Sequence, residues 1–138
     1  MSKKNITALI FISILSFCWS VSCVAVGYSE SQKAMQYVMY VGTNDKDTYE
    51  PKYSNEEAKN IVDDVCLKYF DGYTLQEAVG AWRDEKGNKT HEYTLVCYFD
   101  DADAETVYKA ADELIKILNQ SSILIERKEI QMEYYSGN

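Results

Sequence analysis

The stretch His91-Glu92-Tyr93-Thr94-Leu95-Val96-Cys97-Tyr98-Phe99 decides the fold. It alternates with period two. Tyr93, Leu95, Cys97 and Phe99 fall on one side, and Thr94, Val96 and Tyr98 on the other. That is the pattern of a β-strand. Directly after it come Asp100, Asp101 and Asp103, and the period changes. Ala104, Val107, Tyr108, Ala111, Leu114, Ile115 and Leu118 recur at three- and four-residue steps, which predicts an amphipathic helix. Before the strand, Asp84-Glu85-Lys86-Gly87-Asn88 reads as a hairpin loop, with Gly87 free to take a positive φ. The loop joins back to Tyr73–Arg83, an extended stretch whose alternation is spoiled at Gln76-Glu77, so a bulge or short turn is expected there.

Further out, Gln36–Val41 (QYVMYV) is β-branched and aromatic and stops at Gly42, which predicts a first strand. Thr43–Tyr53 holds the single proline, Pro51, with Asn44, Asp45 and Asp47, so it reads as a loop. Ser54 with Glu57 three residues on is a capping box, in which each side chain bonds the other residue's free backbone N–H. The helix it starts carries Ala58, Ile61, Val62, Val65, Cys66 and Tyr69 on one face. Ser122–Tyr135 is expected as the last strand, and Glu126-Arg127-Lys128-Glu129 suits a sheet edge, where charge discourages stray pairing. The order strand, helix, strand, strand, helix, strand is the split βαβ, ferredoxin-like plan of the α+β class. It has an antiparallel sheet, both helices on one face, and the first and third strands at the centre. The expected limits are residues 28–35 as a linker and 36–138 as one domain.

The amino-terminal residues follow another logic. Lys3 and Lys4 precede an apolar run, Ile6–Trp19, and then the small residues Ser20, Ser22, Ala25 and Gly27. That succession predicts a secretion signal over residues 1–27. Two processing routes stay open. Cleavage after Ala25-Val26-Gly27 frees Tyr28. Alternatively, Ser20-Val21-Ser22-Cys23 resembles a bacterial lipoprotein box, which makes Cys23 a lipidation candidate, although Ser20 stands where Leu is usual. Either route predicts an exported protein, secreted or held in the cell envelope by lipid.

Without Lys3 and Lys4 the count is 12 basic residues (14 − 2) against 22 acidic ones, a net charge of −10. Phosphate backbones and anionic lipid surfaces repel such a surface, so nucleic-acid partners are not expected, and membrane contact is expected only through the signal or its lipid. Cys66 and Cys97 remain in the domain. They are expected as buried thiols, with a disulfide the alternative that export permits. With one histidine and no CxxC, no metal site or cofactor is expected. No serine or cysteine has a base at hand, so no catalytic residue is assigned and an interaction module is favoured over an enzyme.

Some of these residues also occur in a known pattern. Asp71-Gly72-Tyr73-Thr74, Gly80-Ala81-Trp82-Arg83, Gly87 and Glu92, with Tyr40-Val41-Gly42 upstream, resemble the signature of a bacterial family of small exported proteins, catalogued as domain of unknown function 3574. The resemblance spans about residues 36–135 and implies no activity. This chain departs from it at Ala81, where Gln is expected, and in the first helix, where an aromatic is expected at Ala58 or Asn60.

Two surfaces are candidate sites. Trp82, Arg83 and Glu92 should meet across the hairpin, either as a binding site, with Arg83 for an anion and Trp82 as an apolar wall, or as a structural cross-strand cluster. The acids Asp100, Asp101, Asp103 and Glu105 lack calcium-loop spacing and suit the start of a helix. The other surface is the sheet face away from the helices, where Val96, Tyr98 and the outer side of the first strand are too apolar for water. A face-to-face homodimer, the Thr43–Tyr53 loop or a small ligand is expected to cover it.

Overall fold

The computed structural model describes residues 31–83 and 85–137. The elements run β1 (Gln32–Gly42), α1 (Asn55–Tyr69), β2 (Thr74–Arg83), β3 (Lys89–Asp100), α2 (Ala104–Leu118) and β4 (Leu124–Met132). The four strands form one sheet in the order β2-β3-β1-β4, and every neighbouring pair is antiparallel. This is the expected ferredoxin-like plan, with β1 and β3 central.

The local signals act as physical chemistry requires. Ser54 Oγ accepts from the Glu57 N–H at 3.2 Å, and the Glu57 carboxylate accepts from the Ser54 N–H at 2.9 Å, which completes the capping box. Asp103 caps α2 by accepting from the Thr106 N–H at 2.9 Å. Asn119 ends that helix in the left-handed region at φ 54°, and Gly87 turns the hairpin at φ 84°. Between sheet and helices lie Met39, Val41, Leu95, Cys97 and Phe99 against Val62, Val65, Cys66, Val107, Leu114 and Leu118, all buried. Cys66 and Cys97 are free thiols in this layer, and hydrogen bonding to Cys97 together with burial pushes the Cys66 thiol far up.

Three local expectations need correction. β1 starts at Gln32, four residues before Gln36, because its pairing with β4 runs on to Gln32↔Met132 and buries Ala34. No bulge interrupts β2: Gln76 lies opposite Val96 and Glu77 opposite Leu95 in unbroken register. Glu77 is tolerated on the helix side because β2 is an edge strand and Lys59 of α1 pairs with its carboxylate at 2.7 Å. On α2, Tyr108 is exposed and Ala110 takes the buried position, so the stripe sits rotated toward Val107, Ala110, Ala111, Leu114 and Leu118.

Candidate functional site

The register sorts the four candidate side chains. Glu92 lies opposite Gly80, Trp82 opposite Thr90, and Arg83 opposite Lys89. Directly opposed residues share a face, so Trp82 and Glu92 stand on the open face and Arg83 on the helix side. Arg83 instead holds the hairpin, donating from Nη1 to the Gly87 carbonyl at 2.9 Å. The expected three-residue cluster across the hairpin is therefore two residues, with Arg83 at its border. Tyr98 is mid-sheet, opposite Thr74 on one side and Val38 on the other, and its hydroxyl donates to Gln76 Oε1 at 3.1 Å. It does not join Glu92. Cys23 and the signal lie outside the described residues.

Glu92 has an unusual seat. Two glycines lie beside it on the open face, Gly80 directly opposite on β2 and Gly42, the partner of Thr94, on β1. A Cβ on Gly42 would fall 2.7 Å from Glu92 Cδ, and one on Gly80 would meet Thr94 Oγ1 at 2.7 Å. The carboxylate thus lies against the bare backbone of Gly42, where a Cβ would push it aside, and Gly80 leaves room for Thr94 and the Glu92 stem. Among the described residues its one hydrogen bond is long, from the Asn44 N–H at 3.4 Å. A half-buried carboxylate with so little compensation is costly unless something else supplies donors.

The Thr43–Tyr53 loop builds the wall beside it. Thr43 Oγ1 donates to the Tyr93 carbonyl at 2.8 Å, and Asn44 Nδ2 donates to the His91 carbonyl at 3.1 Å. Lys46 N–H donates to the Asn119 carbonyl, and Asn119 Nδ2 bridges Asp45 and Asp47 at 2.8 and 2.9 Å. Gln120 Nε2 donates to the Asn44 carbonyl. The loop is thereby tied both to the end of β3 and to the end of α2. Bonding to Asn119, helped by the Asp47 N–H, holds the Asp45 carboxyl below its usual range. Tyr49 takes a left-handed φ of 59°, rare for a bulky residue, and reaches the Trp82 ring edge-on at 5.4 Å between centroids.

Together these parts enclose a cleft of about 390 Å³, lined by Asn44, Tyr49, Trp82, Glu92 and Gln120 among others. A second hollow of about 420 Å³ shares Asn44, Tyr49 and Glu92. Asn44 Oδ1 is buried without a partner among the described residues. The loop residues Asn44 and Tyr49 and the helix-end residue Gln120 were not foreseen as site members. The only signal in the sequence is a polar loop followed by an Asn-Gln pair at a helix end.

The rest of the open face is largely closed within the single chain. Val38 and Val96 are each only 4% exposed. Around them Tyr40 donates to Glu126 Oε2 at 3.4 Å, Tyr98 to Gln76, and Gln36 to Asp100 at 2.6 Å. The tyrosines turn apolar bodies inward and hydroxyls outward. The loop covers one corner, where Tyr49 meets Trp82.

No family model matches the chain, and no curated protein does. Solved structures do resemble it. A phage SAM lyase in complex with S-methyl-5'-thioadenosine aligns at TM-score 0.53 and 15% identity, over 76% of this chain and 93% of its own. CutA from Synechococcus elongatus aligns at TM-score 0.40 and 11% identity, over 73% and 78%. A de novo designed protein with a ferredoxin fold aligns at TM-score 0.30 and 14% identity, over 76% and 89%. At such identities the likeness is one of architecture, and this chain is a small ferredoxin-like protein.

Proposed function

We propose that the protein is an exported binding module of the bacterial cell envelope, and that it takes a small ligand in the cleft at Glu92. The observation that carries this reading is the seat of Glu92: a carboxylate laid on Gly42, its stem facing Gly80, beside an aromatic pair, with one long hydrogen bond among the described residues. The cleft volume of about 390 Å³ is within the range of small-molecule sites. Gly42, Gly80, Trp82 and Glu92, four of the residues behind the resemblance to domain of unknown function 3574, meet at this one place. Export rests on Lys3, Lys4 and the Ile6–Trp19 run.

Two measurements test the reading. Mass spectrometry of the native protein should find a lipidated Cys23 or a start near Tyr28; an intact Met1 terminus would remove export. An NMR screen of small aromatic compounds of positive, zero and negative charge should move the signals of Gly80, Trp82 and Glu92. Hits confined to other parts of the surface would remove the cleft.

A face-to-face homodimer is the second reading. Leu124, opposite Tyr40 on the open face, is 61% exposed and offers an apolar centre for it. Ultracentrifugation at micromolar concentration should then show a dimer that Leu124→Glu converts to a folded monomer. A monomer at every concentration sinks that reading and leaves the cleft untouched.

A further inference from the structure

The structure assigns a ligand class to the cleft: we infer that it binds a small organic cation, an amine attached to an apolar or aromatic body, with Glu92 as the counter-charge. This rests on the reading of the cleft as a ligand site and goes on to its chemistry. The inference comes from which polar groups are engaged and which are spare. The nearest amine and amide donors at the cleft wall make contacts within the protein. Lys46 Nζ is held by both Asp47 oxygens at 3.0 and 3.1 Å. Arg83 donates to Gly87, and Gln120 Nε2 donates to the Asn44 carbonyl.

Two acceptors in this corner have spare capacity. Glu92 has its single long bond, and Asn44 Oδ1 has no partner among the described residues. A ligand entering here meets the Glu92 carboxylate with spare acceptor capacity, and a ligand that brings donors can use it. A protonated amine brings up to three donors and a charge, and charge-assisted bonds to a carboxylate are the stronger kind. An anion such as a phosphate or carboxylate would set its charge against Glu92.

The aromatic wall points to the same class. Trp82 and Tyr49 stand edge to face, and Trp82 is 38% exposed, so part of its indole surface is open to a ligand. A cation near an indole face gains from the ring quadrupole, and Trp is the strongest of the side chains in this respect. The carboxylate already lies against Gly42, so it gains no further partner by turning to that side. A domain charge of −10 enriches cations around the molecule before any contact forms.

The test uses the protein as its own cells process it and three probes of one shape: benzylamine, benzyl alcohol and benzoate. Titration followed by NMR should show benzylamine moving the signals of Gly80, Glu92 and the Trp82 indole N–H, and benzoate leaving them in place. Glu92→Gln should weaken benzylamine about tenfold or more, as removing one member of a charge pair does. Glu105→Gln, the same charge change on exposed α2 surface, should leave binding as it was. Gly42→Ala gives a second variant, because the added methyl displaces the carboxylate and should also weaken benzylamine.

Unchanged benzylamine binding in a folded Glu92→Gln protein would overturn the assignment. So would an equal loss in Glu105→Gln, which would mean that only net charge matters. Benzoate or benzyl alcohol moving these signals while benzylamine does not would overturn the ligand class and leave the cleft as a site. Silence from all three would overturn both.

Discussion

At one end of the sheet a cleft of about 630 Å³ opens between Tyr69–Thr74 and Tyr98–Asp103; at the other end lies the smaller cleft of Glu92. Both are rimmed by acids and aromatic rings, and they differ in what those groups are doing. In the larger cleft Asp103 caps α2, Asp100 accepts from Gln36, and the Tyr73 hydroxyl donates to Asp63 at 2.8 Å. Tyr69 donates to Glu113 at 2.8 Å. Phe70 and Tyr73 lie against Phe99 at 4.3 and 5.8 Å between centroids. Burial, with the bond to Asp63, pushes the Tyr73 hydroxyl well up, as expected of a group built into the fold. At the smaller cleft the Glu92 carboxylate has one long hydrogen bond among the described residues, and the buried Asn44 Oδ1 beside it has no partner among them. Size alone is a poor guide to a binding site, and unmet hydrogen-bonding capacity discriminates better.

The contrast makes the two ends respond differently to mutation. The largest expected effect is on stability at the capped end. Phe99 is 1% exposed and touches two other rings, so Phe99→Ala should cost about 3–5 kcal/mol in denaturant unfolding. Trp82→Ala, at the other end, should cost about 1–2 kcal/mol, because its ring is partly exposed and its one edge contact is worth about 0.5–1.5 kcal/mol. Equal costs would erase the distinction between a core-packed end and a partly exposed one.

A smaller effect should follow from Asp103→Ala, which removes the α2 cap and should lower stability by about 1 kcal/mol. Signals of Glu92 and Trp82 should stay in place, and movement there would show that the two ends are coupled. The smallest effect concerns pH. Asp45 and Asp47 both have carboxyls lowered chiefly by Asn119. A depressed folded value means that the stabilisation is present above the unfolded Asp pKa of about 3.9 and is lost as pH falls through the folded value. The Asn119 side-chain amide signals should hold steady down to about pH 4 and shift only below it. A shift centred near neutral pH would mean that the loop is held by something else.

Much of this architecture is legible along the chain, and the reasons where it is not are specific. β3 is readable because it is a long central strand rich in β-branched and aromatic residues, with Leu95, Cys97 and Phe99 buried in the core on one face. The capping box is readable because Ser54 and Glu57 act within one turn. β2 misleads at Gln76-Glu77 because an edge strand reaches solvent on both sides, so nothing enforces alternation there. The pairing of Trp82 with Thr90, rather than with Glu92, depends on the hairpin connection, and a shift of one residue exchanges the faces. Glu92 could be named from sequence, but its cleft could not. Asn44, Tyr49 and Gln120 come to it through contacts spanning dozens of residues, and no local pattern encodes a left-handed tyrosine aimed at a distant indole.

The strand order has a consequence for how the chain must be made. β1 is the first strand in sequence, and both of its partners, β3 and β4, begin at Lys89 or later. β2 is made between them but never touches β1. A polypeptide emerging from its amino end therefore exposes Gln36–Val41, one of its most apolar strands, through the synthesis of the next fifty residues with no native partner on either edge. Such a segment is prone to pair with other chains. A product cut short before Lys89 should be insoluble rather than half-folded, because it holds two strands that have no native contact with each other. β1 gains its first native partner only when β3 is made, and its second when β4 follows.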